Sequence, residues 1–266
     1  MEQSKIQNPK SKINVVFIHG AGSNADFWYE QRAAFPNAHY LDLPGHMSRS
    51  GKYPTHDIEQ SKIQTPASEY PKSKIDSYAN FVAEYIEREG LDGVVLNGHS
   101  MGGAITLTLA LRRPSWLKAI VLTGTGARLR VLSRLLEFLR EDYPAAVDLI
   151  LEESFVPPQG KPTYAQRSLL NGTRRHMLRT PQEVTLADYE ACDRFDLMEQ
   201  VGLINVPALC IVGAQDQMTP PRYSEYLHSR IRGSRLEIIE GAGHMLPLER
   251  ASEYNERVEG FLLREL

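Results

Sequence analysis

The sequence predicts an α/β fold: a doubly wound, mostly parallel sheet of about six to eight strands, interrupted late in the chain by a helical insertion. Three observations carry this. Six short apolar runs recur along the 266 residues, none shows clean polar–apolar alternation, and helical stretches separate them. Uniformly apolar strands suit a sheet buried on both faces, and strand–helix alternation suits parallel layers.

Residues 1–12 are polar and lysine-rich and read as a tail. Val15-Val16-Phe17-Ile18 is the first strand and ends in His19-Gly20-Ala21-Gly22. A helix is expected over Asp26–Ala34, then a second strand over His39–Leu43 that ends in Pro44-Gly45-His46. Residues 48–75 form an enlarged surface loop carrying a repeat: Gln3-Ser4-Lys5-Ile6-Gln7 recurs from Gln60, and Pro9-Lys10-Ser11-Lys12-Ile13 recurs from Pro71. Two copies with different spacers are not a solenoid period, and a longer loop costs little closure entropy. Helix Ser77–Arg88, a strand ending over Val94–Asn97, helix Met101–Arg112 and strand Ala119–Thr123 follow.

From 128 to 200 no strand is evident. Leu129, Leu132, Leu135, Leu136 and Leu139 recur at helical spacing. Such a stripe suits a helix packed on a core, or the apolar underside of a lid. Alternation resumes with strand Ala208–Val212, helix Arg222–Ile231, strand Leu236–Ile239 and helix Pro247–Leu263. The chain therefore divides into a core (13–127 and 201–266) and a helical cap (128–200).

A net charge of −3 offers no footprint for nucleic acid or an anionic membrane. The start of the chain lacks the apolar stretch of a secretory signal, and no segment approaches membrane-spanning length. A soluble, cytoplasmic protein is expected. Cys192 and Cys210 lie far apart and read as reduced thiols.

Ser100 is the strongest candidate for chemistry. It sits in Gly98-His99-Ser100-Met101-Gly102, between a strand and a helix, which is the arrangement that holds a serine in a tight, strained turn. A serine hydroxyl needs a base within hydrogen-bond reach. Of eight histidines, His244 in Gly241-Ala242-Gly243-His244 follows directly on the last strand. His46 competes, because it too follows a strand. His19 is expected to brace its turn, and His99 to point away from Ser100. His39, His56, His176 and His228 suit surface or satisfied core positions. An acid must then orient the base. Asp216 in Gly213-Ala214-Gln215-Asp216 follows a strand, whereas Asp193 and Asp196 belong to the insertion and Asp42 suits the ordering of its own turn. Backbone N–H groups of Met101 and Ala21 are the expected donors to a developing oxyanion, with glycines beside Ala21 allowing close approach.

These five ordered motifs, from His19-Gly20-Ala21-Gly22 and Asp42-Leu43-Pro44-Gly45-His46 to Gly98–Gly103, Gly213–Asp216 and Gly243-His244, resemble the α/β-hydrolase superfamily from about Ile13 to the end of the chain. The resemblance implies Ser100 as nucleophile, Asp216 as acid, His244 as base, an oxyanion hole at Ala21 and Met101, and a helical cap over the pocket. It calls for no metal or organic cofactor. Residues 1–12 look too short and polar for the hairpin that usually opens the fold. A serine nucleophile argues against epoxide hydrolases and haloalkane dehalogenases, and Met245 after the histidine is more similar to carboxylesterases than to carbon–carbon hydrolases. The expected activity is hydrolysis of small or medium carboxylic esters, with the leucine stripe lining an acyl pocket. Carbon–carbon hydrolysis of a vinylogous diketone and a non-catalytic ligand receptor stand as alternatives. Arg128, Arg130 and Arg134 suit a solvated helix face or contact with an acidic substrate.

Overall fold

A computed structural model describes residues 13–48 and 74–265. Its strands are β1 (Asn14–Ile18), β2 (His39–Leu41), β3 (Val94–His99), β4 (Leu117–Thr123), β5 (Ala208–Gly213) and β6 (Arg235–Ile239). They form one six-stranded sheet in the order β2-β1-β3-β4-β5-β6, and every neighbouring pair is parallel. The chain runs outward from β1 to β2, returns to β3, then walks to the opposite edge. The reversal between β1 and β3 leaves a crevice at their carboxyl ends, where open α/β sheets place ligands.

Each strand feeds both faces of the sheet, because successive side chains point in opposite directions. Val16, Ile18, Leu96, Ile120 and Leu122 face helices α1 (Lys74–Arg88) and α2 (Met101–Arg112), meeting Tyr78, Val82, Ile86, Ile105 and Leu109. Phe17, Val95, Val121, Leu209 and Ile211 face the other side. Four helices, α3 (Ser133–Glu141), α4 (Tyr143–Ser154), α5 (Tyr164–Met177) and α6 (Gln182–Arg194), lie between β4 and β5 and form the cap. Helix α7 (Pro221–Arg230) follows β5; the short α8 (Leu246–Glu249) and the long α9 (Ala251–Glu265) follow β6, with Tyr254, Val258 and Phe261 in the second core layer.

Several expectations need correction. The helix expected over Asp26–Ala34 is a single 3-10 turn, Ala25–Trp28, followed by further turns. Asn24 caps it by accepting from the Asp26 N–H at 3.0 Å, and aromatic packing fixes the rest: Trp28 lies 4.9 Å from the Phe17 ring. The second strand stops at Leu41, two residues early, and α1 starts at Lys74 rather than Ser77. The final helix is broken at Arg250, whose φ of −134° and ψ of 47° leave the helical region. The tail, the repeat copies and His56 lie outside the described residues, apart from Ile13, Lys74 and Ile75 at the repeat ends. Cys192 and Cys210 are buried, free thiols. Among the described residues no helix is long and apolar enough to cross a membrane.

Candidate active site

Ser100 joins β3 to α2 with φ 52° and ψ −116°, a strained conformation for a residue with a side chain. Its surroundings over-determine that geometry. The Ser100 N–H donates to the Thr123 carbonyl at 2.9 Å. Its own carbonyl accepts from the Gly103 N–H at 2.9 Å and from Thr125 Oγ1 at 2.8 Å. The flanking glycines are steric necessities. A Cβ at Gly98 would lie 2.1 Å from the Gly102 carbonyl oxygen, and one at Gly102 would lie 2.2 Å from that of Ile18.

Two further strand ends bring the other candidates together. Asp216 follows β5 and His244 follows β6, and His244 Nδ1 lies 2.9 Å from Asp216 Oδ2 with both side chains buried. Burial alone would raise the Asp216 pKa. The charge and hydrogen bond of His244, with two donors from Thr219, outweigh it and hold the carboxyl below its usual range. An ionised Asp216 accepts the Nδ1 proton and leaves Nε2 free for proton transfer. The His244 loop is braced from the cap: its N–H donates to the Ser154 carbonyl at 2.7 Å, at the end of α4. Glu249 accepts from the Gly243 N–H at 2.9 Å and from the Val156 N–H at 2.8 Å.

Ser100 and His244 line one cavity of about 20 Å³ with Ala21 and His99, closed from the cap by Ile150, Met177 and Tyr189. That volume holds about one water. Neither the Ala21 N–H nor the Met101 N–H has a backbone acceptor among the described residues. Met101 is the first residue of α2, so its N–H has no acceptor within the helix. Beyond the cavity lies a groove of about 840 Å³ that shares Phe27 and Thr173 with it and is walled by Leu169, Gly172, His176 and Leu248.

The remaining histidines separate clearly. His19 braces its turn as expected, with Nδ1 donating to the Gly20 carbonyl at 2.8 Å and Nε2 accepting from the Leu43 N–H at 3.2 Å. His46 does not reach the cavity; its Nε2 lies 2.7 Å from Asp188 Oδ2. His99 does not point away. It lines the cavity, stacks on Phe27 at 4.6 Å, and donates from Nε2 to the His244 carbonyl at 3.0 Å. Burial, then the charge of His244, bring the His99 pKa to about 3, so it serves as a neutral donor.

The rival acids are structural. Asp42 accepts from the Ala25 N–H at 2.8 Å and from Ser48 Oγ at 2.7 Å, ordering its turn. Asp196 takes Arg128 Nε at 2.6 Å, and Asp193 accepts from the Val131 N–H at 3.1 Å. Arg130 donates to the Asp193 carbonyl at 2.6 Å, and Arg134 lies over the Phe138 ring. The leucine stripe does not line the catalytic cavity. Leu135 and Leu139 pack inside the cap on Val147, Ile150 and Leu151, while Leu132 is exposed.

Sequence reasoning missed Asp188, Thr219, Ser154 and Glu249. Asp188, in α6, is buried, and its carboxylate meets Gly22, His46, Tyr78 and Lys74. Burial opposes its charge, but the His46 contact, Lys74 and the Gly22 N–H bring its pKa down to about 2. Only Thr219, three residues beyond Asp216 in a turn, carried a local signal.

The arrangement defines a hydrolase-type site at the carboxyl edge of a parallel sheet beneath a helical cap. Residues 15–257 match the alpha/beta hydrolase family, and the chain belongs to it. It is similar to a pimeloyl-[acyl-carrier protein] methyl ester esterase of Neisseria meningitidis serogroup A, 28% identical over 98% of this chain and 81% of the relative. It is also similar to 3-oxoadipate enol-lactonase 2 of Acinetobacter baylyi, 23% identical over 94% of this chain and 88% of the relative. Among solved structures, a thermophilic esterase is 36% identical, with a TM-score of 0.74 over 94% of this chain and 89% of that one.

Proposed function

We propose that the protein is a serine hydrolase of carboxylic esters, with Ser100, His244 and Asp216 as its triad. The observation that carries this reading is the 2.9 Å Asp216–His244 contact, set in one cavity with a serine held at positive φ. Ser100 Oγ attacks the ester carbonyl carbon while His244 Nε2 takes the hydroxyl proton, and Asp216 stabilises the imidazolium. The carbonyl oxygen becomes an oxyanion that accepts from the Ala21 and Met101 N–H groups, each worth about 3 kcal/mol of barrier by analogy with measured donors. His244 then gives its proton to the leaving alcohol. Water deprotonated by the same imidazole cleaves the acyl-enzyme and restores Ser100.

The substrate is an ester with a compact reacting end and one longer apolar arm. The small cavity and the adjoining groove walled by Phe27, Leu169 and Leu248 support that shape. Relatives named for a methyl ester and for an enol-lactone agree with a small reacting end. Turnover of p-nitrophenyl acetate, butyrate and octanoate by the wild type and by Ser100→Ala tests the reading. Hydrolysis in the wild type, lost in Ser100→Ala, is expected; equal rates in the two proteins, or turnover of a vinylogous diketone alone, contradict it.

A further inference from the structure

Asp188 of α6 joins the cap to the candidate oxyanion loop. Its Oδ2 accepts from the Gly22 N–H at 3.0 Å and meets His46 Nε2 at 2.7 Å. Its Oδ1 accepts from Tyr78 Oη at 2.8 Å and pairs with Lys74 Nζ at 2.9 Å. These partners come from the loop after β1, the loop after β2 and α1, so one carboxylate from the cap ties three elements of the core. The same helix presses on the same loop one turn earlier. Gly22 has a φ of +63°, and a Cβ there would lie 2.7 Å from Thr185 Cγ2.

We infer that Asp188 is a positioning residue for the reaction: by holding the Gly22 N–H it fixes the neighbouring Ala21 N–H toward the substrate oxyanion, and so makes catalysis depend on a docked cap. The two peptide planes share the Ala21 Cα. Anchoring one restricts the ψ of Ala21 and with it the direction of the other. An oxyanion donor acts only within a narrow distance window, about 2.7–3.1 Å, and small displacements at such a site cost orders of magnitude in rate. Charge strengthens the anchor, because a carboxylate holds a backbone N–H more tightly than a neutral acceptor does. The inference rests on the hydrolase reading of Ser100.

Asp188→Asn tests it, with kcat expressed per serine titrated by a fluorophosphonate, so that loss of folded protein does not count. The expected result is a fall in kcat of about 30-fold, between the cost of one weakened donor and its removal, with KM within about threefold. Affinity for a trifluoromethyl ketone, which adds Ser100 Oγ to its carbonyl carbon and leaves an oxyanion, should fall by a similar factor. Affinity for the matching methyl ketone, bound without addition, should not change. A purely structural anchor would lower the titrated fraction and leave these ratios alone; kcat per titrated serine within about twofold of wild type overturns the inference. If Asp188→Asn does not fold, Tyr78→Phe removes one donor from Oδ1, and a fall in kcat of about threefold at constant KM is expected, an unchanged kcat being the overturning result. Wild-type protein that neither turns over ester nor takes the phosphonate would end the hydrolase reading itself. An active wild type with equally active variants removes only the role of Asp188.

Discussion

Thr219 gives both of its hydrogen-bond donors to Asp216: its N–H reaches Oδ1 at 2.8 Å and its hydroxyl reaches Oδ2 at 2.8 Å. The same Oδ2 holds His244 Nδ1 at 2.9 Å, so the threonine orients the proposed acid, which in turn orients the proposed base. Thr219→Val keeps the shape and the N–H and removes only the hydroxyl. A fall in kcat of about tenfold is expected, the worth of one hydrogen bond to a charged group. Asp216→Asn should cost about 10⁴-fold, because an amide favours the wrong imidazole tautomer. Steady-state kinetics on p-nitrophenyl butyrate checks both, and a Thr219→Val rate equal to wild type refutes the relay.

Packing at the elbow predicts an asymmetry between two glycines. Gly102→Ala would press a methyl against the Ile18 and His19 carbonyl oxygens, at 2.2 and 2.8 Å. A loss of about 3 kcal/mol or more is expected, or failure to fold. Gly172, inside α5, has nothing within 4 Å of its would-be Cβ. Gly172→Ala should therefore gain about 0.5–1 kcal/mol through helix propensity. Urea unfolding of the two variants reads both signs.

The Asp188 cluster predicts acid sensitivity. Its carboxyl pKa lies near 2 against an ordinary value of 3.8, with His46, Lys74, Tyr78 and the Cys192 thiol around it. A depressed folded-state pKa means stability that is present above pH 4 and lost as pH falls through the folded value. The contribution is on the order of 2 kcal/mol. Unfolding free energy measured at pH 7 and pH 3 should therefore drop more in wild type than in a folded Asp188→Asn variant; equal drops contradict this.

How much of this was legible in the sequence depended on whether a signal was local. Strands β1, β3 and β5 could be read because both faces are covered, so Val15–Ile18 and Ala208–Val212 contain no polar interruption, whereas at the edge strand β6 only Ile239 is buried. The placement of the candidates Ser100, Asp216 and His244 could be read because each follows its own strand within a few residues. Asp26–Ala34 misled, since Phe27 and Trp28 are fixed by contacts with His99 and Phe17 rather than by helical spacing. Arg250 misled in the same way: its Nε donates to the Glu240 carbonyl at 3.1 Å, a tertiary contact at the position where the helix breaks. Asp188 was illegible, because its partners Gly22 and His46 lie 166 and 142 residues away and nothing in α6 separates it from an ordinary helical aspartate. The leucine stripe held only in part: Leu135, Leu136 and Leu139 lie in α3 and pack within the cap, whereas Leu129 packs on the sheet core and Leu132 is exposed.

The groove between α5 and the Ala25–Trp28 turn predicts a chain-length effect. Gly172 lines it with open space around the Cβ position, so Gly172→Trp places a large side chain in the groove. KM for the octanoate ester should rise about tenfold, the scale of lost apolar contact for a few methylenes, while acetate changes less than twofold. Equal KM ratios for the two esters would place the long arm elsewhere.

The most direct test of the central claim is peptide mass spectrometry of the protein after reaction with a fluorophosphonate. The phosphonyl adduct, formed as Ser100 Oγ displaces fluoride, is expected in the wild type, absent in Ser100→Ala, and formed far more slowly in His244→Ala. An unmodified Ser100 in protein that still hydrolyses esters, or labelling unaffected by His244→Ala, would contradict the account.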